Sequence, residues 1–398
     1  MKTLISFDKF KDCMSSFELG CITLDCLKKH TKNKSDDVKI LRMSDGGEGL
    51  LESLTYSLGL ETKVVNDIVG PLGTLIQSKY AYSKQHGYAV IEMALASGLE
   101  MVPVSQRNPF NTTTHGVGQL ILDAVTSGFT KIIIGAGGSA TNDAGLGALS
   151  AMGAIKVTLK QEDGSINNNN NNTTDIIYGK HLNHIQSITQ TNIELFKNIT
   201  FEFLTDVTNP MIGTNGAVYS FSGQKGASEN DKIVLEKGME NVSSLYPRDI
   251  SKYEGSGAAG GLPSGFIAYF NAKITKGIEF VCESYSLEKK LESGEIDLII
   301  TGEGCFDKTT LDGKVVSKIM SLADKYNIKC LVICGKKIID DSYQTFNKDA
   351  CKIFSLVDLF GAKESLTNTK LCIESLFESN LELKSFLNNC NISSPDKE

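Results

Sequence analysis

Lys39–Leu54 reads KILRMSDGGEGLLESL. VKILRM (Val38–Met43) is an apolar run of strand length. Asp45, Gly46, Gly47, Glu48 and Gly49 come directly after it, and GEGLLESLTYSLG then takes up a helical pattern. The stretch is therefore a strand handing over to a helix. Upstream, LISF (Leu4–Phe7) is a second short apolar strand, and Ser15 with Glu18 forms a capping box. Phe17, Cys21, Leu24 and Leu27 continue from it at helical spacing. The order βαβα predicts a parallel sheet in an α/β fold.

The alternation stops near Val64. Gly70-Pro71-Leu72-Gly73 is a turn, and TLIQSKYAY and GYAVIEMA read as a hairpin about Gln85-His86-Gly87. Next come a helix in THGVGQLILDAVTSGF, the strand KIIIGAGG, a small-residue helix in NDAGLGALSAMG and the strand FEFLTDV. From Ser293 the alternation returns with DLIITGEG, GKVVSKIMSLADKYN, KCLVICG, KIFSLVD and a last helix from about Lys363. The expected architecture is two α/β domains. A Rossmann-like parallel-sheet domain is formed by both chain ends (1–67 and 290–398), and a mixed-sheet α/β domain (68–289) is inserted. Asn167–Asn172 is a run of asparagine, read as a low-complexity surface loop.

The composition narrows the function classes. The chain has 398 residues, 41% hydrophobic and 22% charged, which suits a globular protein with a substantial core. A net charge of −7 argues against a nucleic-acid or anionic-membrane partner. No signal peptide or membrane-length apolar window is read, so a cytoplasmic protein, monomer or homodimer, is expected. Ten scattered cysteines without CxxC or zinc spacing read as reduced core thiols.

In a parallel sheet, ligands bind beyond the carboxyl ends of the strands. The loops leaving these strands share one chemical character. Asp8 and Lys11 succeed LISF, Asp45 and Glu48 succeed VKILRM, and Gly137, Gly138, Ser139, Asn142 and Asp143 succeed KIIIG. Asp206 and Asn209 succeed FEFLT, and Gly302, Glu303, Asp307 and Lys314 succeed DLIIT. Glycines admit a close ligand, lysines neutralise phosphate, and carboxylates hold Mg²⁺ or accept a proton. Each loop also has a plain reading, with Asp45 or Asp143 as a helix N-cap and Glu48 at the third helical position. Arg107 is the natural partner of a substrate carboxylate. GSGAAGGLPSGF (Gly255–Phe266) reads as a lid hinge or a close-packed loop. There is no GxxxxGK[ST], no protein-kinase HRD or DFG set, and no full GxGxxG.

The series DKFKDCMSS, MSDGGEG, GPLG, IEMALASGL, RNPFNTTTHGVGQL, GAGGSATNDAGLGALSAMGA, DVTNP, QKGAS, GSGAAGGLP, KGIE and TGEGCFDKTTLDGK carries a family resemblance. In this series the chain resembles the type 1 glycerate kinases over nearly its whole length. The resemblance implies ATP-dependent phosphorylation of D-glycerate with Mg²⁺, in a two-domain α/β protein with its site in a cleft. It points to Asp8, Lys11, Asp45, Glu48, Arg107, Asp206, Glu303, Asp307 and Lys314. On this reading Lys11 and Lys314 neutralise phosphates, and Asp45, Glu48 or Asp307 helps hold Mg²⁺. Arg107, with Asp8, Asn142 and Asn209, binds glycerate, and Asp206 is the base. Gly137, Gly138, Ser139, Gly302 and Glu303 bind the nucleotide. The favoured product is 2-phosphoglycerate rather than 3-phosphoglycerate. Cys305 and Thr309 stand where relatives commonly carry arginine and glutamine. Two alternatives are an NAD-dependent 2-hydroxy acid oxidoreductase and a non-catalytic nucleotide or sugar-acid sensor.

Overall fold

The computed structural model describes residues 1–8, 10, 13–31, 38–43, 46–160, 176–308, 310, 315–338 and 350–390. Lys11, Asp45, Thr309, Lys314 and the asparagine run 167–172 lie outside the described residues. The strands are, in chain order, β1 (Thr3–Phe7), β2 (Val38–Ile40), β3 (Glu61–Val69), β4 (Leu75–Ser83) and β5 (Tyr88–Glu92). They continue with β6 (Lys131–Gly135), β7 (Ile155–Leu159), β8 (Ile185–Gln190), β9 (Thr200–Leu204) and β10 (Lys273–Thr275). The last five are β11 (Leu298–Gly302), β12 (Cys305–Phe306), β13 (Lys329–Cys334), β14 (Lys336–Lys337) and β15 (Cys351–Ser355).

Two compact units result. One comprises Met1–Ser44, Tyr56–Leu58 and Ile278–Glu398, and the other Asp45–Thr55 and Gly59–Gly277. The chain passes between them at Ser44/Asp45, Thr55/Tyr56, Leu58/Gly59 and Gly277/Ile278, where single boundaries at 67/68 and 289/290 were expected. At Leu58/Gly59 the reason is local. Gly59 takes a left-handed φ of 65° and turns the chain into β3, whose partner is β4.

The first unit holds a five-stranded parallel sheet in the order β15-β13-β11-β1-β2. Both ends of the chain supply it, since Thr3 registers with Leu298 and Phe7 with Gly302. β1 and β11 are buried on both faces, which explains why neither carries a charged residue. Ile5, Phe7, Leu298, Ile300, Leu331 and Ile333 pack against Leu19, Leu27, Ile373 and Phe377 of the helices. The helix Ser16–His30 is capped as its sequence predicts. The Glu18 N–H donates to Ser15 Oγ at 3.3 Å, and the Ser15 N–H donates to Glu18 Oε2 at 3.0 Å.

Three expectations in this unit are corrected. VKILRM is strand only to Ile40, because β2 is an edge strand. The Leu41 N–H still donates to Ile5 O, but the Arg42 N–H turns away to Ser57 Oγ at 3.2 Å. KIFSLVD is strand only to Ser355, whose Oγ accepts the Asp358 N–H and starts the helix Leu356–Phe360. The single last helix expected from about Lys363 is replaced by three, Ala362–Thr367, Thr369–Ser379 and Leu381–Cys390. Asn368, at a φ of −130°, makes the first break.

The second unit holds a six-stranded mixed sheet in the order β10-β9-β6-β5-β4-β3. β3, β4 and β5 are antiparallel, and β5, β6, β9 and β10 are parallel. Ile132, Ile134, Phe201 and Phe203 form its core with Val117, Leu120 and Ile121 of the helix His115–Thr126. β7 and β8 form a separate antiparallel pair. Gly255–Phe266 is a close-packed loop and helix rather than a hinge. Ala258 through Phe266 are buried, and Ala259, Gly260 and Gly261 all adopt positive φ.

Candidate active site

The second unit brings three parallel strands to a common edge. Glu92, Gly135 and Leu204, the last residues of β5, β6 and β9, register with one another in a row. The segment Gly46–Gly49 is fixed over this row by backbone contacts. The Gly137 N–H donates to Gly46 O at 3.3 Å. A Cβ on Gly46 would meet Leu204 O at 2.5 Å, so only glycine lets the two backbones approach this closely.

The helix Leu50–Leu58 begins here, and its cap differs from expectation. The N-cap is Gly49 at a φ of 83°, not Asp45. The missing acceptor comes from a different strand. Gly49 and Leu51 N–H donate to the two carboxylate oxygens of Glu92, each at 2.9 Å. These are orphan donors of a helix start, and a carboxylate suits both their geometry and the positive helix end. Glu92 is 4% exposed, and burial pushes its carboxyl up while the two amides pull it down. Glu48 does not cap the helix; it is exposed, beside Gly138.

A cavity of about 430 Å³ opens at this edge. Its walls include Gly47, Glu48, Arg107, Gly137, Gly138, Ser139, Asp206, Gln224 and Lys225. The Arg107 Nε donates to Val102 O at 3.3 Å, which orients the guanidinium group. Asp206 is exposed at the cavity wall, and its Oδ1 accepts the Gly277 N–H at 3.2 Å. A Cβ on Gly226, which sits at a φ of 95°, would overlap the Arg107 carbonyl. That close packing sets Gln224 and Lys225 beside Arg107 on the same wall.

Lys225 was not among the residues expected at a site. It is 2% exposed, and its Nζ donates to Ser139 Oγ at 2.8 Å and to Thr141 O at 2.7 Å. Burial pulls its ammonium group down to about 7, opposed by the nearby Asp143 carboxylate. Asp143 is buried as well. Its Oδ2 accepts the Thr114 N–H and O–H at 2.6 and 2.8 Å, and its Oδ1 accepts the Gly145 N–H at 3.1 Å. It thus ties the start of the helix His115–Thr126 to that of Leu146–Ala151, a structural task broader than one N-cap.

Two proposed substrate ligands lie elsewhere than the cavity wall. Asn142 is fully buried, and neither its Oδ1 nor its Nδ2 has a hydrogen-bond partner among the described residues. Asn209 braces its own loop, donating from Nδ2 to Asn215 O at 2.7 Å and to Ser220 Oγ at 3.1 Å.

In the first unit, Asp8, Gly302, Glu303 and Asp307 gather at the carboxyl edge of the parallel sheet. The Asp8 N–H donates to Gly302 O at 2.9 Å. Glu303 is buried, and Cys305 Sγ lies 3.9 Å from Asp307 Oδ2. Burial, then Asp307 and Glu303, push the Cys305 thiol up, opposed by Lys336. Gly302 has a packing reason to be glycine, since a Cβ there would overlap the Ile333 carbonyl.

Glycine-lined strand ends that carry acidic and basic side chains are the kind of edge that can hold phosphate groups. The chain belongs to the glycerate kinase family, whose sequence model matches residues 3–382. A glycerate 2-kinase of Escherichia coli (strain K12) is 33% identical over 91% of this chain and 92% of that protein. A glycerate kinase of Bacillus cereus is 36% identical over 84% of this chain and 85% of its own length. The solved structure assigned to a glycerate kinase 2 of Salmonella typhimurium LT2 superposes with a TM-score of 0.74 at 30% identity. It covers 98% of this chain and 99% of that one.

Glu92, Gln224 and Lys225 were all missed from sequence. A usable signal existed for them, because IEMALASGL and QKGAS belong to the family series.

Proposed function

We propose that this chain transfers the γ-phosphoryl group of ATP to D-glycerate, giving 2-phosphoglycerate. Family membership supports the reaction class, and the 33% identical relative that is a glycerate 2-kinase favours the 2-hydroxyl. The observation that carries the reading is the cavity in which Arg107 and Lys225 meet Glu48, Asp206 and the Gly137–Ser139 loop. Arg107 binds the glycerate carboxylate, for which a guanidinium fork is the natural partner. The Gly138 and Ser139 amides face phosphoryl oxygens, as a glycine-rich strand end does elsewhere. Asp206 accepts the proton of the attacking hydroxyl. Asp8, Glu303 and Asp307, with Lys11 and Lys314, serve the nucleotide and its phosphates.

Glu48 and Asp206 on one cavity wall are hard oxygen donors that fit Mg²⁺, which needs few protein ligands when phosphates and waters supply the rest. Glu48, with Asp45, would hold the ion, and the ion would neutralise charge on the transferring group. No helix among the described residues is long and apolar enough to cross a membrane.

A coupled ADP-release assay with D-glycerate and Mg-ATP tests the reaction, with phosphorus NMR of the product. D-glycerate-dependent ADP and 2-phosphoglycerate are expected. Folded protein that releases no ADP above background overturns the kinase reading. Asp206→Asn should lower kcat by about 100-fold or more, the scale of a lost general base. A wild-type kcat removes Asp206 from that role.

A further inference from the structure

We propose that Lys225 acts through Ser139 as a proton-dependent anion-binding pair for the substrate at the cavity wall, an inference that rests on the kinase reading above. The ligand chemistry is an anionic oxygen, from either the glycerate carboxylate or the transferring phosphoryl group.

Hydrogen-bond directionality assigns the two groups their roles. Lys225 Nζ lies 2.8 Å from Ser139 Oγ. A protonated amine can only donate, so Ser139 Oγ accepts from it. The serine then keeps its own proton for a different acceptor. Ser139 lines the cavity, and its hydroxyl becomes a donor polarised by a buried cation. A second Lys225 N–H is fixed on Thr141 O at 2.7 Å, so the ammonium group is held in place before any ligand arrives.

The neutral amine reverses the pair. It can accept the Ser139 proton, leaving the hydroxyl to turn lone pairs toward the cavity, where they repel an anion. The charged group that faces Lys225 is Asp143, and the other ionisable groups on the cavity wall are Glu48, Glu100, Arg107 and Asp206. Desolvation outweighs Asp143, so the lysine sits near half-protonation at about pH 7 when no ligand is bound. A bound anion favours the charged form and pulls a proton on. Affinity is then full below about pH 7 and declines as the pH rises through it.

The test is steady-state kinetics of the full chain, varying D-glycerate and ATP separately between pH 6 and 9. In the wild type one of the two KM values should climb toward tenfold per pH unit above about pH 7. The KM that moves identifies the ligand: D-glycerate for a carboxylate, ATP for the phosphoryl group. Lys225→Met should raise that same KM by about tenfold or more at pH 6 and flatten its pH profile. Ser139→Ala should reproduce the flattening without removing the lysine, which covers the case where Lys225→Met does not fold. Wild-type turnover whose two KM values ignore pH overturns the pair and leaves the kinase reading standing. Folded wild-type protein without any turnover overturns both.

Discussion

Glu92 closes β5 with a buried carboxylate, and two backbone amides of another segment point at it. Its task is to complete the start of the helix Leu50–Leu58 and so hold Gly46–Gly49 over the cavity. Glu92→Ala leaves both amides without their acceptor beside an apolar core. It should cost about 2–3 kcal/mol in a urea melt, and activity per folded molecule should fall with it. Glu92→Gln keeps an acceptor for one amide and should cost less. Unchanged stability in the alanine variant would show that water replaces the carboxylate. The same residue shows why the site was only partly legible. Glu48, Arg107, Gly137, Gly138, Ser139 and Asp206 stand out because their types announce their chemistry, and the structure sets them on one cavity wall. Glu92 and Lys225 do not stand out. A glutamate ending a strand and a lysine in a loop look solvated until tertiary packing buries them.

At the scale of elements, packing decides between rival readings of one residue type. Glycines at strand ends suggested room for phosphate. At Gly302 the space is already taken, because β11 and β13 run so close that the Ile333 carbonyl occupies the place of a side chain. Gly302→Ala must push the two strands apart and should destabilise by about 3 kcal/mol or more. Equilibrium urea unfolding measures this. A variant with wild-type stability and weakened ATP binding would return Gly302 to a direct ligand role. Local signals placed most elements, including the capped helix Ser16–His30 and the β4–β5 hairpin. Their ends were less legible. β2 and β15 stop early because an edge position and a serine cap intervene, and neither can be read from apolar periodicity. The breaks that divide the expected last helix into three were missed for a related reason. An isolated asparagine is compatible with one bent helix.

At the scale of the whole molecule, the alternation of texture along the sequence was enough to expect a parallel sheet built from both chain ends. The switch to hairpins signalled a second, mixed sheet. The registers, and the row Glu92–Gly135–Leu204 that sets the cavity, were not available from one sequence, since they depend on non-local pairing. That non-locality bears on how the chain is made. Thr3 is paired with Leu298, so β1 leaves the ribosome long before β11, one of its two partners in the sheet, exists. Every strand of the mixed sheet, through Thr275, is synthesised in the interval. Vectorial synthesis therefore imposes an order, with the middle of the protein able to close first while its first strand waits with an apolar surface uncovered. Nascent chains arrested after β10 has cleared the ribosome should already resist protease across β3–β10 and remain cleavable near residues 1–43. Protection there should appear only once β11 has emerged. Simultaneous protection of both regions at the earlier length would show that the newborn amino terminus finds shelter by another route.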